Sequence, residues 1–397
     1  MIDYRFSSND FPSWPVWDNS EESALANALQ SGFWAGSRAE NIKLFPERFS
    51  SYQNADYGIA LANGTVTLES ALIALGIGEG DEVIVPAITF VATASAVLRV
   101  NAVPVIVDVD EDTYCICPKK VDEAITPKTK AIIAVHVAGT MCDMDSLLQI
   151  SRTRKLALIE DCAHAHGSRW KGRGAGSLGE LGSFSFQHSK LMSSGEGGAL
   201  ISNHKELLNK AWDYANCGRE GVKGTYHHPI VGTNARITEW QAAILNSQLE
   251  RYPEQFEKRL QAASFLDKRL AGIKGVKPQK NAEGSEQRAY YCYIFELDLD
   301  LLGEEARQHM FEVLSQAKVP LSLAYPSLND LDVFKNTAFE PTIRREIDAS
   351  RFETPIAQKV SAQTIWLHHA ALLADEEVLE KLVLLIEKAV STLRGNS

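Results

Sequence analysis

The sequence lacks any apolar run close to the roughly 18 residues that a membrane-spanning helix needs. Residues 1–5 also lack the charged segment, followed by an apolar one, that begins a signal peptide, so we expect a cytoplasmic protein. Basic side chains are too few to balance the acidic ones: 40 Lys and Arg stand against 51 Asp and Glu, which gives a formal net charge of −11. Such a surface repels phosphate backbones, and neither a nucleic acid nor a membrane is an expected partner.

Cysteine is scarce too, with six in 397 residues and several of them inside apolar runs. That usage is typical of reduced thiols in the core of a cytoplasmic protein rather than of a disulfide framework. Cys115 and Cys117 do not have the spacing of a zinc site, and no second pair matches them, so we expect no metal.

The first part of the chain contains strands and helices in alternation. Short apolar runs rich in β-branched residues recur at positions 82–86, 105–108, 131–136 and 156–161. Each run is too short for a helix and ends in a polar residue or proline, which is typical of strands buried on both faces. Helical patterns lie at 66–75, before the first run, and at 92–100, between the first two runs. The sequence therefore predicts an α/β fold with a large, mostly parallel sheet covered by helices.

The later residues predict a second, smaller unit. Thr238 has the position of an N-cap for a helix that ends near Tyr252, before Pro253. Beyond this helix, a strand and two further helices are predicted at 290–297, 304–316 and 375–393. We therefore expect a large α/β domain over residues 36–252 and a small C-terminal α+β domain over residues 253–397.

The N-terminal segment, residues 1–35, is predicted to pack on the small domain. Asp18 and Glu21 have the spacing of a capping box, and Gly32 has the position of a helix stop. The residues between them predict a helix with one apolar face, which is typical of a surface helix packed on a larger core.

Two positions combine a ligand-binding location with suitable chemistry. Gly64 and Thr65 begin a predicted helix, where unpaired backbone N–H groups favour a phosphate, although such a start is usually only a cap. Asp161 ends a predicted strand, at the sheet edge where α/β proteins bind ligands. Its carboxylate would suit a protonated pyridine nitrogen; the alternative is an Asp that starts a turn. His164 and His166 follow it, and without further ligands nearby we expect hydrogen-bonding roles for them.

Lys190 is the strongest candidate for chemistry. A predicted strand rich in Phe and Ser, residues 182–186, leads to it, and a loop rich in Gly and Ser follows. A lysine becomes a nucleophile when burial or nearby cations destabilise its ammonium group, and aromatic and hydroxyl neighbours indicate such a setting. Phe90 also follows a strand end, where its ring could stack on a flat heterocycle or pack in the core.

Taken in order, these segments resemble the DegT-type sugar aminotransferases, which are fold-type I enzymes that use pyridoxal 5′-phosphate (PLP). The resemblance covers nearly the whole chain and rests on Asn63-Gly64-Thr65, Thr89-Phe90, residues 160–164, residues 183–190, residues 195–198 and Asn234-Ala235-Arg236. Within the family, residues 11–15 and 185–192 look closest to the 3-amino-5-hydroxybenzoate synthases and aminocyclitol aminotransferases. The 8-amino-3,8-dideoxy-octulosonate aminotransferases are similar too.

The resemblance implies catalytic roles for two residues and ring contacts for two more. Lys190 would hold the cofactor as a Schiff base and then move a proton between the donor and the cofactor. Asp161 would pair with the pyridinium nitrogen and keep the ring an electron sink. His164 would lie close to the ring, and Phe90 would stack on it.

The resemblance also implies a phosphate site and a dimer. The phosphate would be held by residues at a helix start and a strand end, Gly64, Thr65 and Ser185. Asn234 would reach the phosphate bound by the neighbouring subunit. Because one chain could not complete its own site, we expect a homodimer with shared active sites.

The implied reaction transfers an amino group from glutamate, or alternatively glutamine, to a keto group of a sugar, an octulosonate or a cyclitol. Its products would serve lipopolysaccharide, other cell-surface glycans or secondary metabolites. The candidates for contacts to the acceptor are His188, Arg219, Arg236 and His368, together with His227, His228 and His369. Among them, the arginines would suit a carboxylated acceptor.

Other functions stand beside amino transfer. An aromatising enzyme of the 3-amino-5-hydroxybenzoate synthase type would use the same lysine and stays open, whereas the family's dehydratases usually replace it, so Lys190 argues against deoxygenation. A PLP-binding regulator without turnover is a further alternative, but the chain has no basic DNA-binding segment. Residues 172–176 superficially resemble a dinucleotide fingerprint, yet no apolar strand precedes them, which argues against a nicotinamide enzyme.

Overall fold

The structure is a computed structural model that describes residues 5–7, 9–219, 226–335 and 351–395. A seven-stranded sheet lies at the centre of the first apolar core. In spatial order its strands are β1 (Tyr57–Leu61), β9 (Gly198–Ser202), β8 (Leu181–Ser185), β5 (Ala157–Asp161), β4 (Thr129–Val135), β2 (Glu82–Pro86) and β3 (Val103–Val107). β9 runs antiparallel to both of its neighbours, and the other neighbouring strands are parallel. The prediction of a large, mostly parallel sheet is confirmed, since the four apolar runs form β2 to β5.

Helices pack against this sheet and bury its strands. They are α2 (Glu40–Tyr52), α3 (Gly64–Ala74), α4 (Ala92–Arg99), α5 (Pro118–Ala124), α6 (Met144–Arg154) and α7 (Lys205–Ala215). Every residue of β2 and β8 is buried, which explains why the runs are apolar at successive positions. The helices predicted at 66–75 and 92–100 are confirmed as α3 and α4. In the described part of the chain, no helix combines the length and the apolar character that crossing a bilayer requires.

The next helix, α8 (Glu239–Leu270), has side chains in two apolar cores. It begins as predicted after Thr238, whose backbone N–H donates to the Gln241 side chain at 2.9 Å. The predicted end near Tyr252 is wrong, because the helix continues through Pro253 to a total of 32 residues. Pro253 removes one backbone hydrogen bond, but buried side chains on both sides of it favour the continued helix. The predicted domain boundary between residues 252 and 253 therefore falls inside a helix.

A second apolar core lies around a four-stranded antiparallel sheet. Its strands, in spatial order, are β10 (Val276–Pro278), β12 (Cys292–Leu297), β14 (Thr364–His368) and β13 (Leu321–Ser322). The helices of this half of the chain are α9 (Leu299–Leu302), α10 (Ala306–Gln316), α11 (Asp332–Lys335), α12 (Pro355–Gln363) and α13 (Glu376–Gly395). Short 3-10 helices lie at Val137–Gly139, Leu328–Asp330 and Ala371–Leu373. The predicted strand and both predicted helices of this half are confirmed as β12, α10 and α13; residues 1–4 and 336–350 lie outside the described part.

A small hairpin occupies the segment that superficially resembles a dinucleotide fingerprint. The hairpin strands are β6 (Arg169–Trp170) and β7 (Arg173–Gly174), and β6 also pairs with β11 (Ser285–Gln287). A dinucleotide fingerprint needs a strand, a glycine turn and a helix in succession, so this geometry argues against the nicotinamide alternative.

The N-terminal helix, α1 (Asn19–Ser31), has the predicted capping box and the predicted glycine stop. It packs along the first half of α8, where its Glu21 pairs with Arg251 at 2.8 Å. Phe6 and Phe11, which precede the helix, lie in the second core instead. The N-terminal segment thus contacts both cores, and the division of the chain into three segments stays a prediction.

Candidate active site

Lys190 lies in the loop between β8 and β9, with only 8% of its surface exposed. The loop is held by backbone hydrogen bonds, including one from the Lys190 N–H to the Gln187 carbonyl at 2.8 Å. Burial lowers the pKa of the Lys190 amine to about 8, although the Asp161 carboxylate opposes this effect. Its Nζ atom lies 4.5 Å from the centroid of the Tyr291 ring. A substantial fraction of this amine is therefore neutral near physiological pH, as a nucleophilic lysine requires.

Asp161 is the last residue of β5, with 6% of its surface exposed. Burial raises the pKa of its carboxyl group, whereas hydrogen bonds from the Thr93 hydroxyl, at 2.8 Å, and from the Ala163 N–H, at 3.2 Å, oppose the rise, as does the charge of Lys190. The Thr93 hydroxyl also lies 2.7 Å from that of Thr89. The carboxylate is thus fixed in orientation, and a cationic ring nitrogen beside it would stabilise its ionised form.

The start of α3 lies against the end of β8. A Cβ atom on Gly64 would stand 2.8 Å from the Cβ of Ser185, so only glycine permits this approach. Asn63 caps the helix by accepting a hydrogen bond from the Val66 N–H at 3.0 Å. Thr65 follows in the first turn, with its side chain partly exposed. The N–H groups of this helix start and the hydroxyls of Thr65 and Ser185 are donors of the kind that bind phosphate.

Asn234 lies beside the same helix start. The Ala62 N–H donates to the Ala235 carbonyl at 2.8 Å, which places residue 234 close to the segment that leads into α3. The Asn234 side chain is exposed, so it is available to a second subunit. Its neighbour Arg236 is engaged within the chain, because its guanidinium donates to Asn216 at 3.0 Å.

His164 lies on the same side of the site as Tyr291. The two rings stack with their centroids 4.0 Å apart and an angle of 8° between their planes. The Ala138 N–H donates to Nδ1 of His164 at 3.4 Å, and the Tyr325 hydroxyl lies 3.4 Å from Nε2. Burial, followed by the charge of Lys190, holds the pKa of His164 well below its usual value. The imidazole is therefore neutral and serves as a hydrogen-bonding group.

The nearby group His136, Glu160 and Cys162 has the composition of a metal site. Within the described residues, however, Glu160 is already surrounded by donors: His136 at 3.0 Å and the backbone N–H groups of Leu178 and Gly179, each at 2.8 Å. Both oxygens of this buried carboxylate therefore already have hydrogen-bond partners, which hold the turn after β7, and neither is available to an ion.

The remaining residues predicted to contact the cofactor or the acceptor do not form one cluster. Phe90 is 54% exposed, and its ring centroid lies 6.3 Å from that of Tyr325. The His368 ring lies 4.1 Å from His369, and burial lowers the pKa of His368 to about 4. The remaining acceptor candidates are exposed and lie in loops: His188, Arg219, His227 and His228. Their contacts to an acceptor stay predictions.

Several residues of the site have no motif of their own in the sequence. Thr93 lies one turn after Thr89, a spacing that places both hydroxyls on one side of a helix start. Tyr291 precedes a strand, and Tyr325 lies in a loop more than a hundred residues from Lys190. Only the threonine spacing was a usable signal, because the tyrosines reach the site through tertiary packing.

The site fits PLP. The cofactor needs an amine to condense with its aldehyde, an anion for its pyridinium nitrogen and N–H donors for its phosphate. Lys190, Asp161 and the start of α3 offer these groups at one edge of a mostly parallel sheet. A fold and site of this kind define a PLP-dependent enzyme.

Comparison with known proteins gives the family. A profile of the DegT/DnrJ/EryC1/StrS aminotransferase family matches residues 15–383. The chain is 37% identical over 384 residues to the 3-amino-5-hydroxybenzoate synthase of Amycolatopsis mediterranei, with 96% of this chain and 98% of that protein covered. It is 35% identical over 409 residues to the L-glutamine:2-deoxy-scyllo-inosose aminotransferase of Micromonospora echinospora, with 98% and 96% covered.

Solved structures agree with this likeness. The crystal structure of 3-amino-5-hydroxybenzoic acid synthase has a TM-score of 0.88 and 37% identity, over 96% of this chain and 99% of that chain. A proposed sugar aminotransferase from Streptococcus pneumoniae, in its PLP form, has a TM-score of 0.86 and 27% identity, over 98% and 100%. The chain belongs to the DegT/DnrJ/EryC1/StrS family and is a PLP-dependent aminotransferase of fold type I.

Proposed function

We propose that this aminotransferase moves an amino group from glutamine to the keto group of a cyclitol or a related sugar. The observation that carries the proposal is the likeness, over nearly the whole chain, to relatives named as L-glutamine:2-deoxy-scyllo-inosose aminotransferases. These names favour glutamine over glutamate, the donor first expected from the sequence. The products would enter a secondary metabolite or, as a second possibility, lipopolysaccharide or another cell-surface glycan.

The buried groups of the site support a division of labour among the chain's own residues. Lys190 would bind the cofactor and then, as a free amine of lowered pKa, carry the proton that is exchanged during transfer. Asp161 would hold the pyridinium nitrogen, which lets the bound cofactor act as an electron sink. Phe90 and His164 would contact the ring. This arrangement requires Lys190 and Asp161 to stay fixed relative to one another.

The phosphate site supports a homodimer. The start of α3 and Ser185 would hold the phosphate from within the chain, while Asn234, exposed beside them, would complete the site of a second subunit. The enzyme would act in the cytoplasm on small molecules.

An aromatising activity is the second candidate, and the 37% identity to a 3-amino-5-hydroxybenzoate synthase favours it. Such an enzyme would use the same Lys190. The two candidate activities share the cofactor site and differ in their products, which are an amine in one case and an aromatic ring in the other.

The experiment is a two-stage assay of the PLP-loaded enzyme. Glutamine and glutamate are first added separately, and loss of the visible absorbance reports transfer of the amino group to the cofactor. Keto-cyclitols, keto-sugars and keto-octulosonates are then screened for return of the absorbance, and an aromatic product is sought by ultraviolet absorbance and mass spectrometry. We expect glutamine to discharge the absorbance and a keto-cyclitol to restore it. Failure of both amino donors would contradict the proposal. Loss and return of the visible absorbance in Lys190→Ala would mean that the spectra report another lysine.

A further inference from the structure

We propose that His369 is a positioning residue for Lys190: together with Arg259 it fixes the carbonyl group of Ser189, the residue that precedes the lysine. The proposal rests on the assignment of Lys190 as the cofactor-binding residue. His369 follows β14 and contacts the lysine loop, and Arg259, on α8, contacts His369, so both act from the second half of the chain.

The hydrogen bonds of His369 specify one tautomer. Its Nε2 lies 3.0 Å from the Ser189 carbonyl oxygen, and its Nδ1 lies 3.3 Å from Nη2 of Arg259. A carbonyl oxygen can only accept and a guanidinium can only donate, so Nδ1 must accept and Nε2 must carry the hydrogen. The two contacts therefore specify the neutral tautomer of His369 that donates to Ser189 from Nε2 and accepts from Arg259 at Nδ1.

Arg259 is an unusual partner because, in the described part of the chain, no carboxylate pairs with its buried guanidinium. It is fully buried, and its Nε and Nη1 atoms have no hydrogen-bond acceptor among the described residues. The guanidinium instead faces the rings of Trp14, at 5.4 Å, and Tyr252, at 6.0 Å. Burial lowers the pKa of Arg259 to about 10, so it stays protonated at neutral pH. A buried cation with unused donors is costly, and a role in holding the His369 tautomer accounts for its presence.

Ser189 is held on its other side by the ring that lies over the lysine. The Ser189 hydroxyl lies 3.0 Å from the Tyr291 hydroxyl, and the Ser189 N–H donates to the Gln187 side chain at 2.8 Å. Tyr291 in turn presents its ring to Lys190. Movement of the Ser189 peptide would therefore shift both the backbone of Lys190 and the ring against which its amine lies.

Trp14 contacts both His369 and the residue that precedes Ser189. Its indole N–H donates to the His188 carbonyl at 3.0 Å, and its ring meets His369 edge-on at 4.4 Å. The two consecutive carbonyl groups before Lys190, those of His188 and Ser189, thus accept hydrogen bonds from side chains that contact one another. This geometry distinguishes His369 from a buried histidine that merely satisfies a distant part of the core.

The test compares two substitutions of similar size, His369→Gln and His369→Leu. The glutamine amide can still donate to Ser189, and the leucine cannot. Tyr293→Phe is the matched control, because it removes a buried hydrogen bond, from the Tyr293 hydroxyl to Asp267 at 2.7 Å, from the same sheet without touching the lysine loop. Borohydride reduction and peptide mass spectrometry of the wild-type enzyme come first; a cofactor on another lysine would refute the proposed function itself, before His369 is questioned.

The variants are then measured in two ways. For the PLP-loaded enzymes, kcat and KM for the amino donor are determined; for the apoenzymes, the pH midpoint of Lys190 modification by an amine-specific reagent is followed by mass spectrometry. Asp161 and Cys292, whose charges act on Lys190, are present in every variant. We expect His369→Leu to lower kcat about 10- to 100-fold with little change in KM, as misplacement of a reacting group does. It should also move the midpoint away from the wild-type value, whereas His369→Gln should stay within a few-fold of wild type in kcat and keep the midpoint.

Three results would overturn the proposal. These are equal losses in His369→Gln and His369→Leu, an equal loss in Tyr293→Phe, or an unmoved Lys190 midpoint in His369→Leu. If His369→Leu does not fold, His369→Asn takes its place, since its amide is one methylene too short to reach Ser189; activity and a midpoint equal to those of His369→Gln would then contradict the proposal.

Discussion

Thr93 donates its hydroxyl hydrogen to the Asp161 carboxylate at 2.8 Å, which ties the first turn of α4 to the end of β5. The carboxylate is buried, so this bond acts where water cannot replace it. The orientation of the proposed partner of the pyridinium nitrogen therefore depends on a residue outside every motif that carries the family resemblance.

Replacement of Asp161 by Asn should preserve PLP binding and remove most of the rate. The neutral amide cannot stabilise a protonated ring nitrogen, and we expect kcat to fall roughly 10²- to 10³-fold, the scale of losing one preorganised electrostatic partner.

Thr93→Val should lower kcat about 10- to 100-fold, as expected for one hydrogen bond to a charged group. Steady-state kinetics check both values, and a near-wild-type rate in Asp161→Asn would show that another group partners the ring.

Lys190→Ala should yield a folded protein without the visible absorbance of the lysine-linked cofactor and without turnover. The matched control is Lys205→Ala, since Nζ of Lys205 also lies near a tyrosine ring, 5.6 Å from the centroid of Tyr57. Absorbance spectra and the amino-transfer assay check the prediction. A normal visible band in Lys190→Ala would refute the assignment of the lysine.

Gly64→Ala should weaken PLP binding. The added Cβ would stand 2.8 Å from the Ser185 Cβ, so the helix start and the strand end must separate. We expect the Kd for PLP to rise about tenfold or more, equivalent to about 1.4 kcal/mol, because the N–H groups would no longer converge on the phosphate. Gly78→Ala is the control, since its Cβ would meet only the Val100 carbonyl at 3.7 Å. Fluorescence titration of the apoenzymes measures both; equal affinities would place the phosphate elsewhere.

Asn234 provides a test of the homodimer with shared sites. If Asn234 completes the neighbouring site, Asn234→Asp and Lys190→Ala should each be inactive, the former because an anion would face the phosphate. Mixed and reassociated, the two variants should regain about a quarter of the wild-type sites, since only the hybrid dimer carries one intact site. Sedimentation establishes the oligomeric state. An active monomer, or no recovery on mixing, would contradict shared sites.

Four histidines with lowered pKa values, three of them buried and one half-buried, predict acid sensitivity of the apoenzyme. Burial lowers the pKa of His166 to about 3 and of His368 to about 4, and it holds those of His164 and His369 well below the usual value. The unfolded chain therefore binds more protons below about pH 6.5, and the free energy of unfolding falls as the pH decreases from there towards about 4. At about pH 5, His166 and His368 should each cost about 2 kcal/mol.

Denaturant unfolding at about pH 7.5 and about pH 5 measures this loss. In His368→Gln the loss should be smaller by about 2 kcal/mol, because one of the four linked protonations is removed. The exposed His204 provides the control, and His204→Gln should lose as much stability as the wild type. A stability that does not change between the two pH values would contradict the buried, neutral state of these rings.

The parts of the fold that the sequence predicts well are those set by local pattern. The apolar runs of β2 to β5 are diagnostic because both faces of each strand are buried, and the caps of α1 depend on residues a few positions apart. The end of α8 is predicted wrongly because Pro253 is a local signal, whereas the burial of side chains such as Phe256 and Arg259 beyond it is a tertiary effect.

The same contrast applies to the site. Lys190 and Asp161 are recognisable because each ends or follows a strand of its own, at the edge where parallel strands bring their ends together. Tyr291, His369 and Arg259 contribute through contacts across a hundred or more residues of sequence, which no spacing pattern records.

The uninterrupted course of α8 has a mechanical consequence. A helix of 32 residues is about 48 Å long, and this one begins five residues after Asn234 and carries Arg259 beyond its midpoint. It therefore joins the turn proposed to touch the other subunit's phosphate to the guanidinium proposed to steady the lysine loop. Rotation of the second core against the large sheet would have to bend this helix or displace both of its ends. The two halves of the chain therefore cannot rotate independently of one another.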